Sequence, residues 1–215
     1  MDIRHHPLPA ASLGSQKTVT SLHFGTSGAR PKVYLQASLH AEELPGMLAA
    51  HHLRQKLLAA EAAGQIRGEV VLVPVANPIG LAQRLDHKPM GRFELDTSEN
   101  FNRHYPALAQ AIWPNLKSKL GPNADTNRDL VRAEALAYLA AWSPDTELQS
   151  LRKTLLSLSV DADRVLDLHC DCEAVLHLYS EDVCWADIEP LARLLQCQTV
   201  LLAHNSGGAA FDESL

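Results

Sequence analysis

The sequence predicts an α/β protein, and three observations carry the prediction. Two near-continuous apolar runs rich in β-formers, residues 32–39 (KVYLQASL) and 69–78 (EVVLVPVANP), flank a stretch in which leucine recurs at helical spacing. Strands that are apolar throughout belong to sheets covered on both faces, so strand, helix, strand reads as a βαβ unit. Strand-like and helix-like segments alternate again over residues 164–204. Finally, residues able to do chemistry sit where the apolar runs stop, and ligands of open α/β sheets collect outside the carboxyl ends of strands.

Residues 1–31 are mixed in composition, with turn signals at LGS and GTSGARP and one short strand candidate, TVTSLHFG. After the strand at 32–39, Leu48, His52, Leu53 and Leu57 recur at helical spacing. Pro45 suits the first turn of that helix, where its missing N–H costs nothing, and Gly64 suits the position just past its end. From Ile79 to Tyr105 the period dissolves into polar sequence punctuated by Gly and Pro. A structureless stretch of that length in a compact domain is usually functional. Residues 107–122 are weakly helical, while 127–141 and 145–158 carry helical leucine patterns. RVLDLH (164–169), AVLHLYS (174–180) and QTVLLAH (198–204) read as strands, with the helix DIEPLARLLQ before the last of them. No repeat or interdomain linker interrupts the chain, so residues 1–215 are expected to form a single domain.

The composition excludes several function classes. A formal net charge of -6 without any Lys/Arg run gives no footprint for nucleic acid. No apolar run approaches the roughly 20 residues of a membrane-spanning helix, and MDIRHHPLPAAS lacks the charged-then-apolar pattern of a secretory signal, so a cytoplasmic protein is expected. Four cysteines confined to the last quarter are too few and too local for a disulfide framework, which makes reduced thiols the default. Eleven histidines make a metal site worth seeking.

His40 and Glu43 form a His-x-x-Glu pair where the first apolar strand gives way to a helix. Residues three apart in such a turn share a face, so an imidazole and a carboxylate can point at one ion. Alternatively, both glutamates serve the helix N-terminus, and Glu42 is better read that way in either case. A catalytic zinc takes three protein ligands and leaves a fourth position open. His169 follows VLDL as His40 follows YLQASL, each at the foot of an apolar strand, although 126 residues separate it from Glu43. Asp167, two positions earlier on the same side of its strand, can orient an imidazole from behind. Cys170 and Cys172 compete as soft ligands, but Cys-x-Cys is not the usual knuckle spacing and no second pair completes it, so both are expected to be core thiols. In the irregular stretch, Asn102 and Arg103, with Arg92 and Arg84 upstream, offer forked donors suited to a substrate carboxylate.

HAEELPG, NPIG, FNRHYP and DLHCDCEAVLH, in this order and rough spacing, resemble the succinylglutamate desuccinylase/aspartoacylase family of the zinc-carboxypeptidase superfamily, over nearly the whole chain from about residue 32. The resemblance implies a three-layer α/β/α fold with a mixed, mostly parallel central sheet, one Zn2+ per chain, and hydrolysis of the amide bond of an N-acyl amino acid. Carried over by motif, His40, Glu43 and His169 match the zinc ligands, and Asn102 and Arg103 match the pair that contacts the substrate carboxylate. A further arginine upstream polarises the scissile carbonyl in that family; Arg92 is the first choice for it and Arg84 the alternate.

One departure stands out. The family's general-base glutamate lies several tens of residues beyond the last zinc histidine, whereas here 46 residues follow His169 and end in GGAAFDESL. No general-base Glu is matched; Glu213 is not assigned to it. The expectation is therefore the N-terminal part of a longer polypeptide, without the last sheet elements and a C-terminal β-rich region. A metallocarboxypeptidase acting on peptides or cell-wall fragments shares the same zinc and arginines. A chain that binds zinc and a carboxylate without turnover also fits, and a purely structural α/β domain would hold no metal. The expected partner is a small-molecule carboxylate substrate, with no nucleic acid and no membrane; homo-oligomerisation is left open.

Overall fold

A computed structural model describes residues 1–204 and Phe211. The elements in chain order are β1 (Asp2–Pro7), β2 (Thr18–Gly25), β3 (Lys32–Ala37), α1 (Leu44–Ala62), β4 (Glu69–Val73), the short α2 (Pro78–Ala82), and a small hairpin of β5 (Arg84–Leu85) and β6 (Lys88–Pro89). Then follow α3 (Leu108–Leu116), α4 (Ala124–Ala141), α5 (Glu147–Ser159), β7 (Arg164–Leu168), β8 (His177–Glu181), a 3-10 turn (Asp182–Cys184), α6 (Trp185–Leu194) and β9 (Thr199–Ala203).

Five strands form the mixed sheet β1-β2-β4-β3-β7. β1 and β2, and β2 and β4, run antiparallel; β3 is parallel to both β4 and β7. β8 and β9 make a separate parallel pair. Strand β1 escapes the sequence reading because DIRHHP has no apolar alternation: it is largely exposed and is held by its ladder to β2, from Asp2↔His23 to Pro7↔Thr18. An outer strand with charges and a terminal proline is how sheets commonly blunt an edge.

Successive side chains in a strand point to opposite faces, and each face of the sheet has its own helix. Leu22, Phe24, Ala37 and Leu72 pack with Ala50, Leu53 and Leu57 of α1. Val19, Tyr34, Val71 and Val73 pack with Leu148, Leu151 and Leu155 of α5. On the other side of α5, Leu156 meets Leu108, Ile112 and Leu116 of α3 and Leu139 of α4. The result is the three-layer α/β/α arrangement. Two helix starts follow side-chain caps: Asn123 Oδ1 accepts the Thr126 N–H of α4, and Thr146 Oγ1 accepts the Gln149 N–H of α5. Leu155 is fully buried, so Leu155→Ala is expected to lower unfolding free energy by about 2–5 kcal/mol in denaturant titrations.

Helix α1 corrects one expectation. Leu48 is 60% exposed and His52 is exposed, so neither belongs to the packed stripe. The stripe is Gly46, Ala50, Leu53 and Leu57. Small residues lead it because the helix comes very close to the strand ends: a Cβ on Gly46 would lie 3.1 Å from the Leu168 carbonyl oxygen and 3.3 Å from Ala37 Cβ. Pro45 does occupy the first turn, and Gly64 follows the end of α1 at φ +67. No helix among the described residues is long and apolar enough to cross a membrane.

Candidate metal centre

The centre is built where β3 and β7 end side by side. Parallel register pairs Ala37 with Leu168, and the start of that register is fastened by backbone and side chain: Asp163 N–H donates to the Lys32 carbonyl, and Lys32 N–H to Asp163 Oδ2, both at 2.7 Å. Beyond Ala37 the chain turns through Ser38 in the left-handed region, φ 66. Two contacts pin this turn: Ala76 N–H donates to the Ala37 carbonyl (2.9 Å) and Asn77 Nδ2 to the Leu39 carbonyl (2.8 Å). Asn77 also caps α2 by accepting the Gly80 N–H (2.8 Å). His40 therefore faces His169 with ring centroids 4.9 Å apart.

Glu43 lies between them. Its Oε1 is 2.9 Å from His40 Nδ1 and its Oε2 is 3.0 Å from His169 Nδ1. The Cys170 N–H donates to the same Oε2 (2.8 Å), and Arg92 Nη2 to Oε1 (2.7 Å). Glu43 is only 8% exposed, and a buried carboxylate needs such partners. Burial alone would raise its pKa, but hydrogen bonds from His169, His40 and the Cys170 N–H hold the carboxyl well below the usual carboxylate range.

The outer nitrogens of the two imidazoles are held from behind. Asn100 Oδ1 accepts the Asn102 N–H (2.8 Å) and so is the oxygen of its amide; at 3.0 Å it also takes the Nε2–H of His40. His169 Nε2 donates to Asp167 Oδ2 at 2.9 Å. With both Nε2 atoms committed as donors, the Nδ1 atoms are the ones turned inward towards Glu43, and an ion there would take their lone pairs in place of the hydrogen bonds to that carboxylate. Burial opposes charge on His169, but hydrogen bonds to Asp167 and Glu43, reinforced by their charges, push its pKa up to about 10.

One ligand atom from each of His40, Glu43 and His169 can be chosen so that all lie within 4.8 Å of one another. Two imidazole nitrogens and one carboxylate oxygen, with a fourth position open, fit the donor chemistry of a catalytic zinc.

Around the centre, the structure sorts the arginines. Arg92 lies against Glu43 and its Nε is 3.6 Å from Glu42 Oε1. Arg84 is turned back on its own loop, donating to the Leu81 and Gln83 carbonyls at 2.7 Å each. Arg103 is exposed and its Nη1 donates to the Asn102 carbonyl (2.7 Å). Asn102 gives its N–H to Asn100, which keeps the Asn102-Arg103 pair next to His40.

Glu42 departs from its expected role. No acidic side chain lies in the first turn of α1; Glu42 precedes the helix, and its Oε2 accepts the Gly91 N–H at 2.9 Å. The Gly91 carbonyl in turn accepts the Ala41 N–H (3.0 Å), and a Cβ on Gly91 would come within 2.3 Å of the Glu42 nitrogen. The loop carrying Arg92 is thus latched to the ligand turn by a contact that only glycine permits. The cysteines also differ from expectation: Cys172 is exposed and Cys170 half-buried, so neither is a core thiol. Cys170 contributes its backbone N–H instead, because it follows His169 directly at the open end of β7. Sequence reasoning missed Asn100, Gly91 and Asn77. Asn100 lay close to the signal, two residues before Asn102 in ENFNR, and its Oδ1 accepts the Asn102 N–H. Glu213 lies outside the described residues.

The fold and donor set define an α/β protein with a two-histidine, one-carboxylate metal centre at the carboxyl ends of parallel strands. The chain belongs to the succinylglutamate desuccinylase/aspartoacylase family of zinc amidohydrolases: the model of the "Succinylglutamate desuccinylase/Aspartoacylase catalytic domain" matches residues 29–214. A solved succinylglutamate desuccinylase/aspartoacylase family protein from Shewanella amazonensis is 28% identical with a TM-score of 0.79, covering 100% of this chain and 58% of that one. A second, from Shewanella frigidimarina, is 26% identical with a TM-score of 0.79, covering 99% and 56%. The ectoine utilization protein EutE (DoeB) from Ruegeria pomeroyi, at 17% identity and a TM-score of 0.58 over 99% of this chain and 55% of that one, shares the fold. Among curated proteins none matches by sequence. The chain spans between half and three-fifths of the length of these solved relatives.

Proposed function

We propose that this chain carries the zinc-binding and carboxylate-binding part of a hydrolase that cleaves the amide bond of an N-acyl amino acid. The observation that carries the reading is the convergence of His40 Nδ1, Glu43 and His169 Nδ1 with Arg92 at 2.7 Å from Glu43. His40, Glu43 and His169 would hold one zinc, which when bound supplies Lewis acidity to the scissile carbonyl and acidifies a water molecule. Arg92, held beside Glu43, would donate from its guanidinium to the oxygen that gains charge as the amide is attacked. The Glu42 and Gly91 contacts keep it there. Asn102 and Arg103, beside Asn100 and His40, would offer donors to the carboxylate of the substrate, with Arg103 supplying the planar fork that matches it. Asp167 and Asn100, accepting from the two Nε2 atoms, would favour the tautomer in which each Nδ1 lone pair is available to an ion.

The test is hydrolysis of N-succinyl and N-acetyl amino acids compared with short peptides, run together with metal analysis. Preference for N-acyl amino acids supports the reading; turnover of peptides alone would assign the site to carboxypeptidase chemistry. Within that assay, Arg103→Ala is expected to raise KM by about 10- to 100-fold, the worth of one charge-assisted hydrogen-bonded pair, while kcat changes far less. An unchanged KM would remove Arg103 from substrate binding.

A further inference from the structure

Behind the metal centre, on the face of the sheet covered by α5, lies a cluster of buried polar groups that the proposed chemistry does not use. Gln36 and Asp167 are register partners in the parallel β3–β7 ladder, so their side chains stand next to one another on the face that carries Tyr34. The Tyr34 hydroxyl donates to Gln36 Oε1 at 2.8 Å. Tyr105 lies under the guanidinium of Arg152, 5.8 Å from ring centroid to Cζ. Burial, then the nearby Asp167 carboxylate, push the Tyr34 and Tyr105 phenols up. Arg152 is 4% exposed; its Nη2 donates to Glu99 Oε2 (2.8 Å) and reaches the Asn100 carbonyl at 3.5 Å.

Four atoms of this cluster are buried and have no hydrogen-bond partner among the described residues: Gln36 Nε2, Tyr105 Oη, Arg152 Nε and Asp167 Oδ1. Leaving each of them unpaired would cost about 1–3 kcal/mol, more for the carboxylate and guanidinium. They are complementary in kind, since Gln36 and Arg152 donate, Asp167 accepts and the phenol does either. A cation between them would face the Arg152 guanidinium, and an anion would face Asp167. Water, which both donates and accepts and takes two to four polar partners, matches a mixed set of donors and acceptors of this kind.

We propose that internal water joins Asp167 Oδ1 to Tyr105, Gln36 and Arg152, and that Tyr105 and Arg152 are positioning residues tying the two metal-binding histidines into one hydrogen-bonded chain. The chain runs from His169 Nε2 to Asp167, through the water to Tyr105 and Arg152, on to the Asn100 backbone, and from the Asn100 side chain to His40 Nε2. The two imidazoles belong to segments 129 residues apart in sequence, and this path fixes their relative orientation independently of the metal. The inference rests on the reading of His40 and His169 as zinc ligands.

Tyr105→Phe removes one oxygen atom and leaves the ring under Arg152. The measurement is zinc affinity, by competition with a chromogenic chelator, for wild type, Tyr105→Phe and Arg152→Lys, with melting temperatures of the zinc-free proteins alongside. Partners of metal-binding histidines typically alter metal affinity by 10- to 100-fold, so Tyr105→Phe, one step further out, is expected to weaken zinc binding by about 10-fold without raising the melting temperature. Wild-type zinc affinity in Tyr105→Phe would overturn the proposal. So would a higher melting temperature of Tyr105→Phe, because deleting a hydroxyl with no partner is stabilising. If the wild-type protein itself binds no zinc, the ligand reading falls and takes this inference with it, an outcome distinct from zinc-binding wild type with unaffected variants.

Discussion

His40→Ala and His169→Ala are each expected to abolish stoichiometric zinc, measured by metal analysis after gel filtration. Either change leaves one imidazole and Glu43, and two ligands do not hold a catalytic zinc against dilution. Loss of an orienting partner alone costs 10- to 100-fold in metal affinity, so loss of a ligand atom is expected to exceed that, on the order of 1000-fold or more. The same substitutions disturb Glu43, whose buried carboxylate keeps only Arg92, the Cys170 N–H and the remaining histidine. Some loss of stability therefore accompanies them, and circular dichroism separates loss of metal from loss of fold. Retention of one zinc per folded chain in the His40→Ala/His169→Ala double variant would refute the site.

Zinc affinity is also expected to rise by about 10-fold per pH unit through neutral pH and to level off near pH 10, as His169 changes from a proton carrier to a ligand. In the metal-free protein His169 is pushed up to about 10 by Asp167 and Glu43, so at neutral pH it holds a proton on both nitrogens and must release one to bind an ion. Glu43, held below the usual carboxylate range, is already ionised and releases none. The sign for stability follows from the same shift. A histidine whose folded pKa lies above its unfolded value of about 6.5 stabilises fully below that value, and the contribution fades as pH rises towards 10. The metal-free protein should thus lose stability between about pH 6.5 and 10, and His169→Asn should lack that slope. Calorimetric titration with zinc at pH 7, in buffers of different ionisation enthalpy, should report about one proton released. Zero protons released would contradict the His169 assignment.

Much of the centre is legible in the amino-acid sequence. His40, Glu43 and His169 announce themselves by chemistry and by context, because each histidine directly follows an apolar strand. Asp167 is legible too, since alternation in a strand places it on the same side as His169. Arg92 and Arg84 could not be separated, because both lie in an aperiodic segment. What distinguishes them is that Gly91 fits against the Ala41–Glu42 backbone and brings Arg92 to Glu43, while Arg84 satisfies the carbonyls of its own turn. The buried face of α1 differs from the leucine pattern for a related reason: leucine periodicity says that a helix forms, whereas close approach to Leu168 selects the face bearing Gly46 and Ala50.

The amino-acid sequence by itself determined the α/β class, most of the strands and helices, the three residues able to hold a metal, and the family. Those properties reside in local periodicity and in side-chain chemistry, which neighbouring residues carry without reference to the rest of the chain. Only the tertiary structure decided that β7 pairs in register with β3, that β1 closes the far edge, that Asn100 holds the outer nitrogen of His40, and that Arg92 faces the centre. Each of these depends on packing between segments tens to more than a hundred residues apart. Such contacts are selected by the fit of whole surfaces, at Gly46, Gly91 and the Lys32–Asp163 clasp, and no local pattern encodes them.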